Sequence, residues 1–202
     1  MKAILKEIEQ LPDKQYRWKS TTSRKWKVDL VKFLSNKKVN AENTLEIGCN
    51  QGVTTYVLSK ISKNVHAIEF VEHNIHAAKD FNKNNDNIKF VLGDAYIDKT
   101  YDGFPDHFDI VVIDCIHDYE HVIKDINRAL TYCNPETGIY LVFDDYSHPA
   151  CTGVRNAIDK SIEDGLTFEK YIGHGMGHIV NRNDGTFFKL IGSEGIILSY
   201  GK

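Results

Sequence analysis

From residue 43 onward, short apolar runs alternate with amphipathic segments along this 202-residue chain. The periodicity predicts strands near 43–48, 64–69, 88–92, 109–114 and 138–144, and helices near 53–62, 72–83, 119–132 and 152–163. The runs at 110–113 and 139–143 are apolar throughout, which is typical of central parallel strands that are covered on both faces. This alternation predicts an α/β fold with a doubly wound, mostly parallel sheet.

The two ends of the chain differ from this pattern. Apolar residues at helical spacing predict an N-terminal helical extension over residues 1–40. Near the other end, Asn183-Asp-Gly185 separates two strand-like runs at 178–181 and 186–191, which is a strong hairpin signal. We therefore expect one domain across the whole chain, with a core at 43–191 whose seven-stranded sheet ends in an antiparallel hairpin.

Composition narrows the class of partner. The net charge of -3 argues against a broad basic surface for nucleic acid. No apolar run approaches the roughly 20 residues that span a bilayer, and the N-terminus is too charged for a secretion signal. The four cysteines form no CxxC pair, which favours reduced thiols and a cytoplasmic location. We expect a small-molecule substrate, no nucleic acid, no membrane, and, as a hypothesis, a homodimer through the N-terminal helices.

The segment 44–53 indicates a buried strand, a glycine turn and the start of a helix. Gly48 and Gly52 let the backbone turn tightly and let a ligand approach it closely. Asn50 lies between them, and asparagine is the non-glycine residue that best tolerates a positive φ. The free amides at the start of the helix point at the ligand, so the turn is typical of a nucleotide-like cofactor site.

Four acidic residues fall at the expected carboxyl ends of strands, where open α/β sheets bind ligands. Glu46 precedes the glycine turn, where a carboxylate repels a pyrophosphate but suits S-adenosylmethionine, which has an ammonium and a sulfonium group. Glu69 ends the second strand and can accept both ribose hydroxyl protons. Asp94 and Asp114 follow the third and fourth strands.

A second group of acids follows two adjacent strands. Segment 114–121 starts at Asp114 and contains His117, and the pair Asp144 and Asp145 follows the next strand. Because adjacent parallel strands end at the same edge, these side chains should converge, and three convergent carboxylates repel each other unless a cation binds them. Oxygen ligands favour Mg²⁺, Mn²⁺ or Ca²⁺ over Zn²⁺, so the pattern predicts a site for a divalent cation.

Over about residues 43–191 the chain resembles the class I S-adenosylmethionine-dependent methyltransferases, which have a Rossmann-like sheet. The residues that carry the resemblance are Glu46-Ile-Gly48 with Gly52, Glu69, Gly93-Asp94-Ala95, the Asp-x-x-His-x-Tyr-Glu motif from Asp114, and the pair Asp144 and Asp145. The last two motifs are similar to metal-dependent small-molecule O-methyltransferases of the catechol type and of the macrolide and aminocoumarin sugar type. The chain departs from these families at Asn50, where many members have glycine, and at His117, where the catechol type has lysine.

The resemblance implies S-adenosylmethionine as the cofactor. The implied cofactor site consists of Glu46, Gly48, Asn50, Gly52, Glu69, Phe70, Asp94, Ala95 and Asp114. Asp94 would accept a hydrogen bond from the adenine amino group, and the Ala95 amide would meet a ring nitrogen. Mg²⁺ or another divalent cation would bind Asp114, Asp144 and Asp145.

The implied activity is metal-assisted transfer of a methyl group to a hydroxyl of a small molecule, either a sugar or a secondary metabolite. Asp114 and His117 would be the catalytic residues, with His117 as general base, because an imidazole near its reference pKa of about 6.5 can accept a proton at neutral pH. Three alternatives stay open: an NAD(P)-dependent oxidoreductase on a Rossmann sheet, a nucleic-acid methyltransferase, and a cofactor-binding protein without catalysis.

Two further segments carry predictions. Residues 16–24 mix aromatic and basic side chains, and we expect them to form a lid over the cofactor. Residues 173–178 contain two histidines four positions apart, but their three glycines disfavour a helix that would align them on a metal. A flexible loop is expected there instead.

Overall fold

The structure, a computed structural model, describes residues 1–13, 22–181 and 187–202. The helices are α1 (Lys2–Ile8), α2 (Arg24–Asn36), α3 (Val53–Ser59), α4 (Glu72–Phe81), α5 (Tyr119–Thr131) and α6 (Thr152–Glu163). The strands are β1 (Ala41–Ile47), β2 (Ser62–Glu69), β3 (Ile88–Leu92), β4 (Ile110–Ile113), β5 (Ile139–Phe143), β6 (Thr167–Ile172), β7 (Ile179–Asn181), β8 (Phe187–Lys189) and β9 (Gly195–Tyr200). A 3-10 turn, Asp98–Tyr101, lies between β3 and β4.

Seven of these strands form one sheet in the order β3-β2-β1-β4-β5-β9-β6. β1 to β5 pair in parallel, and β9 runs antiparallel between β5 and β6. The predicted fold class is therefore confirmed: a doubly wound, mostly parallel sheet with an antiparallel pair at its end. In the part of the chain that the structure describes, no helix is long and apolar enough to cross a bilayer.

The two central strands are covered on both faces, as their apolar sequences predicted. Val112 and Val142 pack on one face against Trp26 and Leu30 of α2. On the other face, the alternate residues of β4 and β5 pack against α5 and α6 in the largest core cluster. Every side chain of β4 and β5 is buried. Polar residues that could meet a ligand therefore lie in the loops that follow these strands, beginning with Asp114 and Asp144.

The antiparallel pair at the end of the sheet is formed by strands other than the predicted ones. β7 and β8 pair antiparallel at the predicted hairpin, whose turn 183–185 lies outside the described residues. They form a separate two-stranded sheet on which Ile179 and Phe187 are exposed. β9 instead enters the main sheet, because its Ile196-Ile-Leu198 run is fully buried against β5 and β6.

One buried carboxylate ties the start of α2 to the start of β9. Glu194 is 1% exposed and accepts hydrogen bonds from the Ser23 amide at 2.9 Å, the Ser23 hydroxyl at 2.6 Å and the His174 amide at 2.9 Å. Ser23 in turn caps α2 by accepting from the Trp26 amide. Most of the predicted lid, residues 16–24, lies outside the described residues. At its described end, the Arg24 guanidinium donates a hydrogen bond to the Leu11 carbonyl oxygen.

Gly195 at the start of β9 is expected to tolerate no side chain. A Cβ there would overlap the Trp26 indole nitrogen and the Phe143 carbonyl oxygen, which themselves form a hydrogen bond. We expect Gly195→Ala to lower the free energy of unfolding by about 1–3 kcal/mol in urea titrations, because overpacking a filled site costs that much. Gly175→Ala is the matched control, since nothing lies within 4 Å of its added Cβ. Equal stability of the two variants would contradict this packing.

Candidate active site

A cavity of about 500 Å³ opens at the carboxyl edge of the parallel strands. Its lining includes the predicted site residues Gly48, Asn50, Glu69, Phe70, Asp94, Ala95, Asp114 and His117. These residues come from the loops after β1, β2, β3 and β4, so four separate sequence motifs meet around one space. The cavity thus lies where open α/β sheets generally bind ligands.

The glycine turn has the backbone conformation that the sequence predicted. Gly48, Asn50 and Gly52 have φ angles of 88°, 47° and 76°, all in the left-handed region. A Cβ on Gly48 would overlap the Asp114 carbonyl oxygen, and one on Gly52 would lie 2.6 Å from the Asn82 side-chain amide. Gly48 therefore lets the turn after β1 press against the loop after β4, while Gly52 begins α3 behind the cavity wall.

Glu69 holds two walls of the cavity together. One carboxylate oxygen accepts from the Asn50 amide at 2.7 Å, and the other accepts from the Val71 amide at 2.8 Å. Each oxygen can accept a second hydrogen bond, so Glu69 retains acceptor capacity toward the cavity. Phe70 follows it and is 71% exposed at the cavity mouth.

The third wall comes from the loop after β3. The Asp94 carboxylate accepts from the Tyr96 amide at 2.9 Å, which fixes the turn, and Ala95 is buried between them. The Tyr96 hydroxyl donates to the Asp125 carboxylate of α5 at 3.4 Å. Tyr96 thereby connects the cavity wall to the helix that follows β4.

Glu46 lies behind the glycine turn and not on the cavity wall. It is 2% exposed, and it accepts a hydrogen bond from the Thr55 hydroxyl at 2.5 Å. Burial raises the pKa of Glu46 to about 8, and the nearby Asp114 adds to the increase. At neutral pH this side chain is therefore mostly protonated, whereas the sequence suggested an ionised carboxylate that faces the ligand. Its role in cofactor binding stays a prediction.

The three acids after β4 and β5 converge, as their strand positions predicted. Carboxylate oxygens of Asp114, Asp144 and Asp145 lie within 4.8 Å of one another. Asp144 is 4% exposed, and Asp145 has a left-handed backbone with φ at 54°. Such a group has the oxygen donors that Mg²⁺ or Ca²⁺ prefers, and the assignment of the three acids as metal ligands stays a prediction.

His117 lies between two of these acids. Its Nε2 is 3.5 Å from an oxygen of Asp114 and 3.7 Å from an oxygen of Asp145. Hydrogen bonds to Asp114 and Cys151, together with the negative charge of both acids, raise the pKa of His117 to about 11. This raised pKa favours the protonated imidazole in the chain without a bound cation, and the role of His117 as a general base stays a prediction.

Other residues of the site were not found from the sequence. Val71, Asn74, Tyr96, Cys115, Ile116 and His121 also line the cavity. Most adjoin a predicted residue along the chain, so extending each motif by one or two positions would have found them. Residues 173–178 form no helix, and their two histidine rings stack at 3.6 Å between centroids. Neither ring belongs to a group of three potential metal donors among the described residues.

Comparison with protein families identifies the class. A family model described as a methyltransferase domain matches residues 45–146, which is just over half of the chain. The chain therefore belongs to this methyltransferase family. The matched segment starts in β1 and ends after Asp145, so it contains the whole cavity wall and all three acids. No curated protein matches the chain.

Solved structures agree with this family. An O-methyltransferase from Bacillus cereus in complex with SAH is 19% identical, with a TM-score of 0.62, and the match covers 98% of this chain and 90% of that one. The O-methyltransferase TomG from Streptomyces achromogenes, with SAM, is 18% identical at a TM-score of 0.62 over 97% and 88% of the two chains. The N-methyltransferase NodS from Bradyrhizobium japonicum WM9, in complex with SAH, is 17% identical with a TM-score of 0.65. The match covers 98% of this chain and 99% of that one.

At these identities the similarity to solved structures shows a shared fold. Family and fold together confirm the resemblance found in the sequence: the chain is a class I methyltransferase of the S-adenosylmethionine-dependent type. The family match favours this class over a dinucleotide-dependent oxidoreductase on a related sheet.

Asp125, a buried acid of α5 beneath the cavity wall, is expected to make the free energy of unfolding depend on pH. Asp125 is 1% exposed, and burial raises its pKa to about 7, above the 3.8 of an unfolded chain. The native state therefore binds this proton more tightly, and the stability it contributes below pH 4 is lost as the pH rises through 7. We expect Asp125→Asn to be more stable than the wild type at pH 8, on the order of 4 kcal/mol, and equally stable near pH 4, as measured by thermal unfolding.

Asp118→Asn on the same helix is the control with the opposite sign. Asp118 caps α5, and the His121 amide holds the pKa of its carboxylate below the usual value. This variant should lose stability at pH 8 and little near pH 3. A stabilising effect of Asp125→Asn that is the same at all pH values would contradict the raised pKa.

Proposed function

We propose that this methyltransferase transfers the methyl group of S-adenosylmethionine to a hydroxyl of a small molecule, with assistance from a divalent cation. One observation carries the proposal: seven of the nine predicted cofactor residues, all but Glu46 and Gly52, line a single cavity, and three carboxylates converge beside it. The cavity volume of about 500 Å³ suits a nucleoside-sized ligand. Bound in this cavity, the cofactor would supply an electrophilic sulfonium methyl group.

The residues of the cavity have distinct roles in this proposal. Glu69 would accept the two ribose hydroxyl protons with the acceptor capacity that its backbone contacts leave. Asp94 and the Ala95 amide would bind the adenine edge, as the family resemblance implies. The backbone of Gly48 and Asn50 would approach the remaining part of the cofactor, because both residues line the cavity and Gly48 has no side chain.

The acids fit a divalent cation by their chemistry. Asp114, Asp144 and Asp145 offer hard oxygen donors close enough to share one ion, and two of them already attract the protonated His117. A cation held by these residues would supply Lewis acidity that lowers the pKa of the acceptor hydroxyl. The three carboxylates also orient the acceptor beside the cofactor cavity, and positioning of this kind contributes much of the rate of a group transfer.

His117 would accept the proton of the acceptor hydroxyl. Its raised pKa limits when it can do so, since at pH 7 the charges of Asp114 and Asp145 keep it protonated. Positive charge that offsets these acids would lower the pKa of His117 and free its Nε2 to act as a base. The proposal therefore makes the base depend on the occupancy of the acid cluster.

The acceptor atom follows from the site and not from the fold, since NodS is an N-methyltransferase with a similar fold. The acid cluster favours an oxygen acceptor over a nitrogen acceptor, because a cation bound there would lower the pKa of a hydroxyl. A net charge of -3 argues against nucleic acid as the acceptor. The same proposal includes a cytoplasmic location, which the free thiols of the four cysteines support.

Glu69 is expected to contribute strongly to cofactor affinity. Glu69→Gln keeps the shape but loses the charge, and charge-assisted hydrogen bonds contribute about 1.5–3 kcal/mol each. We expect the affinity for S-adenosylhomocysteine to fall by about tenfold or more in calorimetric titrations. Glu72→Gln is the control, because Glu72 is an exposed acid three residues further along the chain. Unchanged affinity in Glu69→Gln would remove the proposed ribose contact.

Cation binding is tested by titrating Mg²⁺ into the complex with S-adenosylhomocysteine. The wild type should give a separate binding heat, and Asp144→Asn should lose it while it keeps its affinity for S-adenosylhomocysteine. Asp159→Asn, in an acid of α6 outside the donor group, should behave as the wild type. Cofactor binding without any Mg²⁺ heat would leave a methyltransferase without metal assistance. No binding of S-adenosylhomocysteine would overturn the proposal as a whole.

A further inference from the structure

A second set of potential metal donors overlaps the acid cluster. A ring nitrogen of His117, a carboxylate oxygen of Asp145 and the thiol sulfur of Cys151 lie within 4.8 Å of one another. The His117 Nε2 is 3.7 Å from an oxygen of Asp145, and the Cys151 Sγ is 3.8 Å from the same oxygen. We call these three residues the N,O,S set.

The fold brings the N,O,S set together from three loops. His117 follows β4, Asp145 follows β5, and Cys151 immediately precedes α6. Cys151 is 3% exposed, which fixes its sulfur against the other two donors. One carboxylate oxygen of Asp145 lies near both of its neighbours in the set, His117 and Cys151. The set has no compact sequence motif, because its members are far apart along the chain.

The chemistry of the N,O,S set differs from that of the three acids. Imidazole nitrogen, carboxylate oxygen and thiolate sulfur are the ligands that Zn²⁺ uses in proteins, with three protein ligands and one open position in many sites. Thiolate is a soft ligand that selects such ions over Mg²⁺, whereas three carboxylates suit Mg²⁺. Binding of a thiophilic ion would release two protons to solvent, one from the Cys151 thiol and one from the His117 imidazolium.

We propose that His117, Asp145 and Cys151 form an inhibitory site for a thiophilic divalent ion such as Zn²⁺. The two donor sets share Asp145, so an ion in one set removes a ligand from the other. An ion on the N,O,S set also occupies a ring nitrogen of His117. The binding part of this inference stands on geometry alone, and the inhibitory part rests on the proposed function.

An ion can reach the N,O,S set from the cofactor cavity. The His117 side chain is 38% exposed and lines that cavity, while Asp145 is 14% exposed behind it. Cys151 would be the innermost ligand. The cavity is therefore both the entry path and the place where inhibition would act.

The test uses Co²⁺ as the probe, because a thiolate bound to Co²⁺ gives a charge-transfer absorption in the near ultraviolet. The wild-type full chain should develop this band, and Zn²⁺ should remove it by displacement. Cys151→Ser should lose the band. Cys115→Ser is the matched control and should keep it, since Cys115 lies beside Asp114 but its sulfur contacts the Tyr96 hydroxyl at 3.9 Å and belongs to neither donor set.

A second variant covers the case in which Cys151→Ser does not fold. His117→Ala changes a partly exposed side chain, and it should weaken Co²⁺ binding at least about tenfold, since even indirect partners of metal ligands contribute that much. A wild type without the band, or a Cys151→Ser that retains it, would overturn the site. Full affinity for Co²⁺ in His117→Ala would overturn it as well.

Competition separates this inference from the proposed function. Asp144→Asn should keep the Co²⁺ band, because Asp144 belongs only to the acid cluster. Excess Mg²⁺ should displace Co²⁺ from the wild type and not from Asp144→Asn. Absence of this competition would overturn the mutual exclusion. If S-adenosylhomocysteine does not bind but the band forms and depends on Cys151, the metal site stands and the proposed methyl transfer fails.

Discussion

The site depends on one close approach, between the turn after β1 and the backbone that follows β4. β1 and β4 pair in parallel with Ile47 opposite Ile113, so both chains leave the sheet side by side. The Asp114 amide donates to the Ile47 carbonyl at 3.0 Å, and a glycine at 48 leaves room for the Asp114 carbonyl oxygen. Because of this approach, the turn that faces the cofactor cavity and the acids that follow β4 and β5 belong to one site.

The sequence predicted β1 to β5 but not β9, although β9 is also a buried apolar run. β4 and β5 are buried along their whole length, and a parallel strand that is covered on both faces is typically an apolar run. β6 lies at the sheet edge, where Phe168 and Tyr171 stay exposed and charged residues interrupt the pattern, so no strand signal survives. The acids and His117 could be predicted because they follow strand ends. The contact of Cys151 with His117, and the pKa that results, depend on distances between loops that no local pattern records.

The arrangement of charge in the site opposes the stability of the fold. Three carboxylates converge, a fourth acid at Glu46 is buried behind them, and His117 supplies a positive charge between two of the converging acids. Converging like charges raise the free energy of the folded chain unless a cation binds them. A bound cation would therefore stabilise the native state as well as serve the reaction, and the acids are retained at some cost to the isolated protein.

The backbone at Asp145 has a consequence for how this family can vary. Its φ of 54° admits glycine, asparagine and aspartate far more readily than other residues. Asparagine and aspartate also carry a side-chain oxygen that could bind a metal. The backbone requirement alone would therefore favour a potential metal ligand at this position, even in a relative that had lost cation binding. Asp144 has no such backbone requirement, so its φ does not favour these three residues. For the proposed cation site, the identity of residue 144 is therefore a better marker than that of residue 145.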